Sequence, residues 1–452
     1  MALSNIATYF FFIILLIISA SALAFDDSCD SNSKGENSDL SIIHIYGKCS
    51  PLNTPKPSSS WINTVINMAS KDPQRLSYLS SLVVSKKPTI VPIAPGQQLF
   101  NIGNYVVRVK MGTPGQQMYM VLDTSNDAAF VPCSGCVGCS SNTSFAPTTS
   151  STYGSVDCSV PECTRIRGSL SCPTTGSVTG SSACFFNQSY GGDSSFYATL
   201  SRDSLGLAND VVPNYAFGCI NSVSGNSIPP QGLLGLGRGS MSLISQSGSL
   251  YSGIFSYCLP SFKSYYFSGS LKLGPVGQPK NIKTTPLLKN PRRPSLYYVN
   301  LTSVSVGRVL VPIAPEHLAF DPNNGGGTVI DSGTVITRFV QPAYEAIRDE
   351  FRKQVNGTFS SLGAFDTCFA SPNEAGAAPT ITLHFEGMDL KLPMENTLIH
   401  SSATPLACLA IAAAPNNVNS VLNVIANLQQ QNLRILFDTA NSRVGIAREL
   451  CN

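Results

Sequence analysis

The chain has 452 residues, 43% of them hydrophobic, which is enough for two domains with sizeable cores. Only 12% are charged and the formal net charge is +3, so it offers no basic stripe for nucleic acid and no acidic tail. Abundant Gly, Pro, Ser and Thr between short apolar runs favour an all-β fold over long helices.

Residues 1–24 read as a secretory signal peptide. Tyr9 to Ile18 is almost wholly apolar, and Ala22-Leu23-Ala24 supplies small residues for cleavage. The n-region lacks Lys and Arg. A membrane anchor is the alternative, but the run is short for a bilayer span. No stable membrane insertion is expected. Residues 25–95 read as a prosegment, with a loosely folded extension as the alternative. They hold the single Trp61, a Pro/Ser stretch from Pro51 to Ser60, and an expected helix from Trp61 to about Val84. Lys71, Arg75, Lys86 and Lys87 punctuate it. Pro88, Pro92 and Pro95 then predict an exposed, cleavable linker.

From Tyr105 the chain becomes strand-rich. Tyr105 to Lys110 alternates, and Gly112-Thr113-Pro114-Gly115 turns. Met118 to Leu122 is an apolar run that opens into Asp123-Thr124-Ser125. Gly327 to Ile330 opens in the same way into Asp331-Ser332-Gly333-Thr334. Each predicts a short buried strand delivering a carboxylate, then a hydroxyl, into a tight turn. An apolar loop follows each copy, Gly232 to Gly237 and Val421 to Ala426. Two units of one order predict a duplicated lobe, an N-terminal one over 96–278 and a C-terminal one over 279–452. The junction falls in the Pro- and Lys-rich stretch from about Pro275 to Pro294. One acid from each lobe in a shared cleft allows acid/base chemistry on water, without metal, cofactor or covalent intermediate.

Fourteen cysteines in a secreted chain predict disulfides. Cys133-x-x-Cys136-x-x-Cys139 has metal-like spacing, but an oxidising compartment favours bridges. Sequons at Asn142, Asn187, Asn300 and Asn356 predict a glycosylated surface. Other hydrolase chemistries lack their motifs. There is no G-x-S-x-G elbow, and His317, His384 and His400 form no H-E-x-x-H pair.

Together these residues resemble a pepsin-like aspartic protease, and the Cys-rich insertion from Cys133 to Cys184 is similar to that of the plant nepenthesin-like group. The resemblance covers roughly Asn104 to Cys451, including Asn427 to Asn432 and Phe437-Asp438. It implies a bilobal fold with a central cleft, and Asp123 and Asp331 as a catalytic pair sharing a proton. Thr124 and Ser332 would tie the two active-site loops together, with Ser125, Asn126, Gly333 and Thr334 supporting the carboxylates. Tyr190, Gly191 and Gly192 would form a flap. It further implies a monomeric endopeptidase with polypeptide substrates and an optimum between about pH 3 and 5. Secretion would deliver it to the extracellular space or cell wall, with the vacuole as the alternative. Six bridges are implied: Cys133–Cys136, Cys139–Cys219, Cys158–Cys184, Cys163–Cys172, Cys258–Cys451 and Cys368–Cys408. The first motif departs from the usual Asp-Thr-Gly-Ser. Ser125 would strain the turn if its backbone needed positive φ, and Asn126 must donate in place of a hydroxyl. Phe130 stands where Trp is common, and Ala426 replaces a Gly. These departures keep a second class open, a catalytically weak or inactive protein-binding relative such as a xylanase-inhibitor-like protein.

Overall fold

The computed structural model describes residues 88–451, except 140–143, 167, 173–181, 191–193, 265, 356, 371–377, 401–404 and 416–419, together with Ala69 and Asp72. The expected signal peptide, almost all of the expected prosegment and helix, Gly191, Gly192, Asn142 and Asn356 lie outside the described residues.

Alternation sets the first sheet. In Tyr105–Met111 the side chains of Val107, Val109 and Met111 are buried while Arg108 and Lys110 are exposed. This strand pairs antiparallel with Gln116–Asp123, whose Met118, Met120 and Leu122 enter the same core and whose last residue is Asp123. The strand Leu233–Gly235 lies parallel to it, with Gly235 opposite Asp123, and also meets Phe130 of Ala129–Val137. A Cβ at Gly235 would sit 2.2 Å from the Asp127 carbonyl oxygen, so only glycine fits there.

The same three-strand unit recurs. Gly327–Ile330 runs parallel to Leu422–Ile425, with Ile330 opposite Ile425, and Thr337–Phe339 crosses at Arg338–Val424. Both units therefore end on an aspartate beside a third, inserted strand. A further set of strands lies edge to edge between them: Thr89–Pro95, Gly269–Leu273, Ile254–Cys258, Leu433–Asp438, Arg443–Arg448 and Lys283–Leu288. Two four-stranded sheets complete the C-terminal part. The 14-residue helix Gln341–Gln354 buries Ala343, Tyr344, Ile347 and Phe351 on one face. Among the described residues no helix is long and apolar enough to cross a membrane.

Three expectations need correction. The prolines do not mark an exposed linker, because Thr89–Pro95 is a strand with Val91 and Ile93 fully buried. Its apolar alternation outweighs the breaker signal. Pairing with Tyr105–Met111 spans only Ile93 to Pro95, so at Pro92 one neighbour has already run out. The stretch from Pro275 to Pro294 is likewise more than a connector, since Lys283–Leu288 pairs with Arg443–Arg448.

The third correction concerns disulfides. All twelve described cysteines are bridged, and Cys258–Cys451 and Cys368–Cys408 agree with expectation. The other four pairs are Cys133–Cys219, Cys136–Cys139, Cys158–Cys172 and Cys163–Cys184. Ala129–Val137 runs parallel to Asp210–Ser224 with Val131 opposite Cys219, which brings Cys133 within 5.5 Å of Cys219 at Cα. Cys136 then closes on Cys139 across Gly138, at φ 78°. In the insertion, Cys163 and Cys172 sulfurs lie only 4.0 Å apart, so two bridges sit side by side. Sequence spacing cannot order four cysteines that meet at one place.

Candidate active site

The two Asp-bearing turns face each other through a reciprocal pair of hydrogen bonds. The Ser332 N–H donates to Thr124 Oγ1 at 3.0 Å, and the Thr124 N–H donates to Ser332 Oγ at 3.2 Å. Ser332 Oγ in turn donates to the Leu122 carbonyl at 2.9 Å. All of this is buried, so neither turn can shift without stranding polar groups.

Both carboxyl groups are nearly closed to solvent, Asp123 at 2% and Asp331 at 6% exposure. Asp123 Oδ1 accepts from the Ser125 N–H at 2.7 Å, the Ser125 hydroxyl at 2.8 Å and the Asn126 N–H at 3.2 Å. Its Oδ2 accepts from the Asn126 side-chain amide at 2.7 Å. Asp331 Oδ1 accepts from the Gly333 N–H at 2.9 Å and Thr124 Oγ1 at 3.3 Å, and Oδ2 from Thr334 Oγ1 at 2.6 Å. A Cβ on Gly333 would lie 2.6 Å from Asp123 Cγ, so glycine is what allows one turn to press against the opposite carboxyl. Ser125 is not among the residues with positive φ, so its replacement of glycine leaves the turn unstrained.

Burial, and then the Asp123 charge, push the Asp331 carboxyl up to about 6, against the donors Thr334, Gly333 and Thr124. The pair therefore keeps a proton well above the ordinary carboxylate range. Asp123 accepts four hydrogen bonds and Asp331 three, so the two carboxyls sit in unequal sets of donors.

A second layer fixes the second turn. Asn427 Nδ2 donates to the Ser332 carbonyl at 3.0 Å, and Gln430 Nε2 donates to the carbonyls of Asp331 and Ile425. Asn104 Nδ2 reaches across to the Gly333 carbonyl at 2.6 Å. Asp127 closes the first turn from behind, accepting from the Gly239 N–H at 2.8 Å and from the Ser295 hydroxyl. Sequence reasoning missed Asn104 and Asp127. Their partners Gly333, Gly239 and Ser295 lie more than a hundred residues away, so no local pattern marks them.

Tyr190 caps a hairpin between Phe185–Ser189 and Ser195–Leu207, its N–H donating to the Ser194 carbonyl at 2.9 Å. Its ring stands edge-on to Phe130 at 5.9 Å. Burial first, then the charges of Asp123 and Asp331, drive its phenol far above the ordinary tyrosine range, so it faces the pair as a neutral hydroxyl. Asn187 is exposed on the same hairpin, whereas the Asn300 amide donates to Glu386 at 2.9 Å. Elsewhere, Ser305 Oγ lies 2.7 Å from His384 Nε2, and His384 Nδ1 lies 2.8 Å from Asp389. These three side chains come from neighbouring strands of one small sheet, where Ser305 is held in the ladder rather than raised on a turn. A cavity of about 810 Å³ beside His317, Asp321 and Val421 borders the far end of the strands leading to Asp331.

Against known proteins, residues 105–275 match the domain family described as Xylanase inhibitor N-terminal, and residues 296–448 match Xylanase inhibitor C-terminal. The Aspartyl protease AED3 of Arabidopsis thaliana is 65% identical over the full length of both chains. Aspartyl protease 25 of Oryza sativa subsp. japonica is 51% identical over 92% of this chain and 95% of its own. The chain belongs to the plant pepsin-like aspartic proteases. Within them it is of the nepenthesin-like type, being 34% identical to Aspartic proteinase nepenthesin-1 of Nepenthes gracilis over 77% of this chain and 78% of that one. Membership carries aspartic-type endopeptidase activity on polypeptides. The soybean Basic 7S globulin crystal structure superposes with a TM-score of 0.62 at 21% identity, covering 80% of this chain and 96% of that one. That likeness speaks for the two-lobed pepsin-like fold of this protease.

Proposed function

We propose that Asp123 and Asp331 carry the hydrolysis, sharing one proton across a bound water in a secreted protease that works at acidic pH. The reciprocal Thr124–Ser332 bonding is the observation that supports this most, because it sets two buried carboxyls face to face. The ionised carboxylate takes a proton from the water, which attacks the peptide carbonyl. The protonated carboxyl donates to the developing oxyanion, and a proton then reaches the leaving nitrogen. Thr124, Ser125, Asn126, Ser332, Gly333 and Thr334 hold these carboxyls in place. Tyr190, with Gly191 and Gly192, closes over the substrate and excludes water. Residues 1–24 direct secretion, the prosegment up to about Pro88 is trimmed away, and glycans cover the sequons, with Asn187 the most exposed of those described.

The xylanase-inhibitor names of the two domain families keep a binding-only reading in view. Cleavage of a denatured protein mixture across pH, with and without pepstatin, separates the two. Pepstatin-sensitive cleavage confined to acidic pH is expected, and none at any pH after trimming would favour binding alone.

A further inference from the structure

A pocket of about 260 Å³ lies against the turn that follows Asp123, lined by Ser125, Asn126 and Asp127 of that turn. Ser125 and Asn126 form part of its wall, with their side-chain donors already turned to Asp123. Gln188 enters from the hairpin strand that leads to Tyr190, and Pro294 closes the side contributed by the later sequence. The one cationic lining residue is Arg165, the last residue of the short helix Pro161–Arg165 in the Cys-rich insertion. Arg165 is exposed, and its side chain has no ion pair or hydrogen bond among the described residues. The one acid on its helix, Glu162, is already paired with Arg202 at 2.8 Å. Asp127, in the pocket wall, accepts from Gly239 and Ser295. Just before Pro294, Arg292 and Arg293 are exposed, and their guanidinium groups form no ion pair among the described residues.

The platform under Arg165 is stiff. Cys163–Cys184 ties its helix to the residue before the strand carrying Gln188, and Cys158–Cys172 lies alongside. A cation held on a cross-linked support loses little freedom when it meets an anion. We propose that Arg165 is a specificity-determining residue that selects polypeptides carrying Asp or Glu close to the scissile bond, on the side that passes Ser125 and Asn126. This rests on the reading of Asp123 and Asp331 as the hydrolytic pair.

Fluorogenic peptides differing only in Glu or Gln, placed at each of two positions on either side of the cleaved bond, test it as a ratio within one enzyme. At about pH 5 the Glu peptide should be favoured about two- to fivefold in kcat/KM on one side of the bond only. At about pH 3 the ratio should fall toward one as the substrate carboxyl, with its ordinary pKa of about 4.3, takes up a proton. Asp127, Glu162 and Asp123 are the acids around Arg165 and are common to both peptides. Arg165→Gln should bring the ratio near one at about pH 5, and Arg165→Glu should favour a Lys peptide instead. The same peptides with a reduced, uncleavable bond, measured by fluorescence anisotropy on the wild-type protein, read the pocket independently of turnover. A Glu preference in that binding, lost in Arg165→Gln, supports the pocket even if no peptide is cut; absence of cutting would then count against the aspartate pair alone. Equal ratios in wild type and Arg165→Gln, by either readout, overturn the proposal.

Discussion

Asn126 stands where a hydroxyl is usual, yet its amide lies 2.7 Å from Asp123 Oδ2 and makes a charge-assisted bond there. Asn126→Ala should therefore lower kcat by about ten- to a hundredfold, the worth of roughly 1.5–3 kcal/mol in such a bond. An unchanged kcat would show that the backbone N–H groups of Ser125 and Asn126 suffice. The other carboxyl yields a stability prediction. Asp331 is raised to about 6 by burial and by Asp123, so its contribution is full below its ordinary pKa and lost as pH rises through about 6. Asp331→Asn removes that loss. Its melting temperature relative to wild type should rise between about pH 4 and pH 7, by the equivalent of about 3 kcal/mol at most. A difference flat across that range would contradict the raised carboxyl.

The strand Thr89–Pro95 constrains maturation. It lies between Gly269–Leu273 and Tyr105–Met111, and Thr89 donates its hydroxyl to Asp210, which also accepts from the Tyr251 hydroxyl. Cutting inside it would remove Val91 and Ile93 from the core. N-terminal sequencing of the acid-activated protein should find an end at or before Thr89, and an active form starting between Gly96 and Gly103 would contradict this. That strand also shows where the sequence stopped being readable. The strands ending at Asp123 and Asp331 were legible because each apolar run breaks sharply at its carboxylate. Thr89–Pro95 was not, since its prolines imitate a linker and the partner along most of its length, Gly269–Leu273, lies far along the chain. The site reads the same way. Thr124 and Ser332 follow from the repeat, but Asp127, Asn104 and the pairing within Cys158–Cys184 depend on which distant segments fold together.

At the scale of the whole molecule, a buried cation fastens the bridging sheet. Arg434, 1% exposed, donates to the Ser270 carbonyl at 3.1 Å, to the Ser270 hydroxyl at 2.7 Å and to Glu449 at 2.9 Å. Burial pushes the Glu449 carboxyl up, but the bonds and charge of Arg434 outweigh it and hold it below the usual range. Its stabilisation is therefore present above the ordinary carboxylate pKa and lost only as pH falls through the lowered one. Glu449→Gln should cost roughly 2–3 kcal/mol in urea unfolding at about pH 6, somewhat less than a fully buried pair because Glu449 is partly open to solvent. A loss within experimental error would mean that the serine contacts alone satisfy Arg434.

The central claim is that two facing aspartates act as one unit, and single substitutions test it most directly. Asp123→Asn and Asp331→Asn, each trimmed like the wild type and checked for unchanged circular dichroism, should be assayed by kcat/KM on one unfolded polypeptide at acidic pH. Each should lose activity by about a thousandfold or more, since either change removes an acid/base partner and its charge from the reacting water. Activity within a few-fold of wild type in either variant would contradict the account.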